Sequence, residues 1–144
     1  AVIVTTPQDI ALADVRKGAD MFRKVHAPIL GVIENMSGLQ LKGTVETADG
    51  IAQKDLRMVF QGIDKEVTTD EKGNFSFLVD LFKSGGGAEE SERLGVPLLG
   101  KIPISMDIMS ATDGGKPIIL SDPQSTVSEI FRDIAVNILS QLAN

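Results

Sequence analysis

The sequence predicts an α/β fold: a partial doubly wound parallel sheet with flanking helices, plus an antiparallel β insert. Three observations predict it. A β-branched run, an amphipathic helical stretch and a second apolar run follow one another between Val2 and Ile33. A second helix–strand–helix stretch closes the chain from Gly85 onwards. Between them the apolar residues switch from helical spacing to alternation, the period of half-buried strands.

Val2–Thr5 is β-branched throughout and reads as a buried parallel strand. Thr5-Thr6-Pro7 ends it, and Asp9 is placed to cap the following helix. There Leu12, Val15, Ala19 and Phe22 recur at three- and four-residue spacing and define one apolar face. Pro28 precedes Ile29–Ile33, a second buried strand, so the segment is a βαβ unit whose crossover is right-handed by rule. In the closing stretch, AEESERL is a short helix with Glu89 four residues before Arg93, and Gly95 is its C′ residue. Leu98–Ile102 is a third strand, halted by Pro103, followed by a helical turn through Met106 and Met109 and the loop Asp113–Pro117. Thr126 and Glu129 have capping-box spacing. The final helix they open carries Val127, Ile130, Phe131, Ile134, Ile138, Leu139 and Leu142 as one stripe.

The middle alternates instead. Leu39–Thr47, Arg57–Ile63 and Asn74–Leu81 read as antiparallel strands, with turns at Asp49-Gly50 and Glu71–Asn74. The expected division is therefore 1–37 and 83–144 as one α/β domain and 38–82 as a β-rich insert.

Composition narrows the function classes. A 144-residue chain, 42% hydrophobic and 24% charged, makes a normal globular domain; its size allows about 70% of the unfolded surface to be buried. A net charge of −6 argues against a nucleic-acid phosphate binder and against anionic membrane surfaces. Zero Cys removes disulfides, thiolate metal sites and a thiol nucleophile together. The chain opens with AVIVT, already inside a strand, as a piece of a longer protein would.

The strings VTTPQDIALADVRKG, GVIENMS and GGAEESERLGVPLLGKIP resemble Mrp/ApbC-type iron–sulfur carrier ATPases, of the ParA/MinD group of P-loop NTPases. The resemblance covers half to two-thirds of the chain, in residues 2–37 and 83–122. It implies cytoplasmic, homodimeric, ATP- and Mg-using relatives that serve iron–sulfur cluster assembly. In that family an Asn after the second strand contacts adenine, which falls on Asn35. The loop after the next strand forms another wall of the base site, here Ile102, Pro103 and Ile104. An Asn amide offers donors and an acceptor matching the adenine edge, though Asn35 can equally satisfy its own turn. Where the family has Leu-Asp-Pro, this chain reads Ile104-Ser105-Met106 and loses an acidic residue.

Other candidates carry less. Thr5–Gln8 lies at the same sheet edge, but a turn explains it equally. Gly85–Gly87 precede a helix start that favours anions, yet no Gly-x-x-x-x-Gly-Lys-Ser/Thr occurs in these residues; a flexible connector is the expectation. Asp14, Asp113 and Asp122 have no informative His or metal partner, with Asp122 reading as a helix-entry residue. The single His26 reads as a surface residue, and Met21, Met36, Met106 and Met109 as core filler. No catalytic or metal-binding residue is assigned. Lacking the phosphate loop and thiolates, this stretch alone is expected neither to hydrolyse ATP nor to hold an iron–sulfur cluster. Two alternatives stand beside that. Residues 38–82, also similar to small carboxypeptidase-regulatory-like β modules, can form a binding module on a non-catalytic scaffold, recruiting partners by strand addition. Or the chain joins two sequences without a selected activity.

Overall fold

The computed structural model describes residues 1–45, 55–60, 63–82 and 84–143. The elements in chain order are β1 (Val2–Thr5), α1 (Asp9–Lys24), β2 (Gly31–Thr44), β3 (Asp55–Phe60), β4 (Ile63–Thr68), β5 (Asn74–Val79), α2 (Gly86–Leu94), β6 (Leu98–Ile104), α3 (Met106–Asp113), α4 (Ile118–Ser121) and α5 (Thr126–Leu142). They fall into two compact units, Ala1–Leu39 with Asp80–Asn144, and Gln40–Val79. Strand β2 belongs to both. The class is mixed α/β, as the sequence predicts.

In the first unit β2 lies between β1 and β6 and runs parallel to each, with Val4 opposite Ile33 and Asn35 opposite Ile102. Alternation along β2 sends Val32 to one face and Ile33 to the other. Val32, Ile3, Ala19 and Leu94 make one core, packed on by Val15 and Phe22 of α1. Ile33, Leu99 and Ile134 make a second core beneath α5. Helices therefore cover both faces. Gly100 allows the close approach of α5, since a Cβ there would stand 2.4 Å from Ile134 Cγ1.

Several local expectations are corrected. The N-cap of α1 is Gln8, and Asp9 is the first helical residue, where its charge favours the helix dipole. The cap of α5 is Ser125, whose hydroxyl accepts from the Ser128 amide, one residue before the predicted Thr126–Glu129 box. In α5 Val127 and Ile134 are buried, but Leu139 and Leu142 are exposed; Leu139 lies about 120° around the helix from Val127. Arg93 pairs with Glu90 and Asp20, not with Glu89 four residues back.

Strand β6 continues through Pro103 to Ile104. Proline is tolerated there because β6 is bonded on one side only, to β2, among the described residues. The run Ile29–Ile33 and the described part of the run Leu39–Thr47 join in one strand, Gly31–Thr44, interrupted by a bulge. A step of four residues along β2, from Asn35 to Leu39, is matched by a step of two along β6, from Ile102 to Ile104. Met36 within the bulge has φ +57, an uncommon conformation for a side-chain-bearing residue.

In the second unit β5 pairs with β2, and β3 with β4 form an antiparallel hairpin. The single predicted strand Arg57–Ile63 is thus two strands, with Phe60 opposite Ile63. The turn before β5 is built by Asp70, whose carboxylate accepts from the Lys72 and Asn74 amides, while Gly73 takes φ +78. The predicted Asp49-Gly50 turn lies outside the described residues.

Candidate functional site

The C-terminal ends of β1 and β6 and the bulged middle of β2 face a cavity of about 470 Å³. It is lined by Val4, Ile33, Asn35, Met36, residues Ile102 to Ser105, and Ile108, Met109 and Phe131 beyond them. Asn35, Ile102, Pro103 and Ile104, nominated from sequence, are brought together there. Strand carboxyl ends are where open α/β sheets place ligands, and the volume is that of a small-molecule site. Nearly all of its wall is aliphatic or thioether.

Asn35 is the main polar group offered by the strands. Its Oδ1 accepts the Met36 backbone N–H at 3.0 Å. That bond holds the bulge and fixes the side chain, so the turn-satisfying role and a ligand role coexist. The second lone pair of Oδ1 and the two Nδ2 hydrogens remain chemically suited to a donor–acceptor edge. Ser105 closes the far end as the N-cap of α3, its hydroxyl accepting from the Asp107 amide at 3.2 Å.

The methionines correct an expectation. Met21, Met36, Met106 and Met109 are between 43% and 67% exposed, not core filler. Met36 and Met109 line the cavity instead, where soft thioethers pack well against aromatic rings. Sequence alone missed them because a methionine in an apolar run looks the same inside or at a rim. Val4, 56% exposed on β1, was missed for the same reason.

Gly85–Gly87 are not a flexible connector. Gly85 caps α2 with φ +93, and Gly86 and Gly87 are buried in its first turn. The Gly87 N–H donates to the Glu34 carboxylate at 2.6 Å. Farther along α2, Glu90 is fully buried and held side-on by Arg93 at 2.7 and 2.9 Å, with Arg16 at 3.4 Å. Hydrogen bonding to Glu90, then to Asp20, drives the Arg93 guanidinium pKa upward. This network ties α1 to α2.

The remaining candidates stay apart from the cavity. His26 is exposed at φ +55 after α1. Asp14 pairs with Lys17 at 3.0 Å on the surface. Asp122 is the C-cap of α4, and its carbonyl accepts from Ser125 and Ser128, so it ends a helix instead of opening one. Thr5 Oγ1 donates to the Thr6 carbonyl, and Thr6 Oγ1 is buried with no partner among the described residues. Among those residues no three His, Asp or Glu side chains cluster as a metal site. No helix is long and apolar enough to cross a membrane, again among the described residues.

Against known families, the pattern described as ParA, NUBPL iron-transfer P-loop NTPase, matches residues 1–69 and 71–139. The chain belongs to this family. The match of this ParA/NUBPL family runs through the middle β segment as well as the α/β parts. An iron–sulfur cluster carrier protein of Pseudomonas fragi is 35% identical over 136 residues, covering 94% of this chain and 37% of that protein. The iron–sulfur cluster transfer protein NUBPL of Dictyostelium discoideum is 33% identical over 142 residues, 99% of this chain and 34% of that protein. The chain therefore spans about a third of the length of these relatives. The cell division ATPase MinD of Pyrococcus furiosus superposes with a TM-score of 0.58 at 21% identity, over 97% of this chain and 42% of MinD. That likeness concerns the fold.

Proposed function

We propose that these residues form the adenine-side wall and part of the scaffold of an ATP-binding iron–sulfur cluster carrier. The supporting observation is the cavity at the strand ends, which gathers Asn35, Ile102, Pro103 and Ile104 around an apolar volume of about 470 Å³. The relatives' printed names supply the biological setting, cluster carriage and transfer. Asn35 pairs with the donor–acceptor edge of the base, Met36 and Met109 pack on its ring, and the Ile102–Ile104 backbone closes one side.

The fit extends to the base and stops there. Within these 144 residues there is no Gly-x-x-x-x-Gly-Lys-Ser/Thr and no Cys. Phosphate and Mg²⁺ handling, ATP hydrolysis and cluster ligation fall outside what these side chains can do by themselves. The same reading has the protein act in the cytoplasm as a homodimer, without nucleic acid or membrane as partner.

The test is a ¹⁵N–¹H titration with Mg-ADP on the wild type and Asn35→Ala. Shifts at Met36, Ile102, Ile104 and Met109, weakened about tenfold by the substitution, are expected from the loss of one hydrogen-bonding amide, about 1.4 kcal/mol. A wild type whose cavity signals ignore Mg-ADP at millimolar concentration refutes the proposal.

A further inference from the structure

Glu34 is a buried charge that the base site does not use. It is 1% exposed, one residue before Asn35, on the opposite face of β2. One carboxylate oxygen accepts from the Gly87 N–H at 2.6 Å, and the other lies 3.6 Å from Lys101 Nζ. A negative charge at the first turn of α2 also meets the positive end of the helix dipole. The seat has no slack. A Cβ on Gly87 would stand 2.7 Å from Glu34 Cβ and 3.0 Å from its Oε2. Strand register then places Glu34 opposite Lys101 and Asn35 opposite Ile102. Two adjacent residue pairs thus face different sides of the sheet, one holding α2 and one lining the cavity.

We infer that Glu34 is a positioning residue whose carboxylate makes the first turn of α2 and the Asn35–Ile102 wall of the cavity move together. For its consequence, that a base bound on Asn35 is felt at Gly85–Gly87, the inference rests on the nucleotide reading above. The coupling itself stands on the ligand-free contact. The same carboxylate closes the helix end to other anions, because the Gly87 N–H is already taken and a phosphate there would meet a like charge.

The test approaches the contact from both sides, with Glu34→Gln and Gly87→Ala in the whole chain. Readouts are ¹⁵N–¹H spectra, methionine methyl spectra and amide hydrogen exchange. Glu34→Gln is expected to speed exchange at Gly87 by tenfold or more and to shift Ile104 and the Met109 methyl, which neighbour neither substitution in sequence. Gly87→Ala is expected to shift Ile104, Met109 and the Asn35 side-chain amide, while the Arg57–Asp64 hairpin stays unmoved in both. Perturbation confined to α2, with Ile104 and Met109 at their wild-type positions, overturns the coupling and leaves Glu34 a local anchor. If Gly87→Ala does not fold, Glu34→Gln decides alone. Mg-ADP separates the two claims. Shifts at Asn35 that reach Gly87 in the wild type but not in Glu34→Gln support the coupling; cavity shifts that never reach Gly87 overturn it. No shifts at all overturn the nucleotide reading, and the ligand-free spectra still decide the coupling.

Discussion

Removing Arg93 should cost this protein more than neutralising Glu90, although the two side chains form one pair. Glu90 is 0% exposed, whereas Arg93 retains 31% of its side-chain surface. Arg93→Met takes both short hydrogen bonds from the carboxylate, at 2.7 and 2.9 Å, and leaves only Arg16 Nε at 3.4 Å. A buried carboxylate stripped of its main partner costs about 3 kcal/mol or more. Glu90→Gln keeps the shape and an acceptor, and Arg93 keeps Asp20 at 3.2 Å and its access to water, so the loss is about 1–2 kcal/mol. Replacing the pair together by Met and Leu should fall near wild type, because no buried charge is left unpaired. Urea unfolding followed by far-UV circular dichroism reads this unit, since every described helix lies in it. At a slope of about 2 kcal/mol per molar urea, Arg93→Met shifts the midpoint down by about 1.5 M and Glu90→Gln by about half of that. Equal shifts, or a larger one for Glu90→Gln, would refute the assignment of the burial cost to the carboxylate.

Three further outcomes follow from the same structure. Ser125→Ala should destabilise α5 by about 1 kcal/mol and Thr126→Ala by clearly less, because Ser125 holds the Ser128 amide; thermal melts with the order reversed would restore the cap expected from sequence. Gly100→Ala should cost about 1–3 kcal/mol by overpacking against Ile134 at 2.4 Å, and Ile134→Val in the same chain should recover part of it; an additive double variant would show that the two do not meet. The Asp70 carboxyl titrates below its ordinary 3.8, held down first by the Asn74 side-chain amide and then by backbone N–H groups. Because the folded value is the lower one, the turn is supported above pH about 4 and loses that support as pH falls further. Amide shifts of Lys72 and Asn74 should follow that acid titration and vanish in Asp70→Asn; flat profiles between pH 5 and 2 would contradict it.

What the sequence determined by itself was the lineage, the α/β class and a set of residues, Asn35 with Ile102, Pro103 and Ile104, that line one cavity. Periodicity suffices for α1 and α5 because each buries one face on a sheet, and the string GVIENMS singles out Asn35 whatever its local hydrogen bonding. Hydrogen-bond partners were not legible. Whether Ser125 or Thr126 caps, or whether Arg93 meets Glu89 or Glu90, turns on backbone dihedrals that neighbouring residues in sequence do not fix. Nor was the bulge at Met36 legible: two apolar runs look like two strands until β6 shows that one strand spans both with a register slip. Burial of methionine was decided only by the fold, since Met36 and Met109 owe their exposure to a cavity made by β2, β6 and α3 together. The contact of Glu34 with Gly87 joins residues 53 apart in the chain, and only tertiary packing can place a carboxylate against a helix end that far away in sequence.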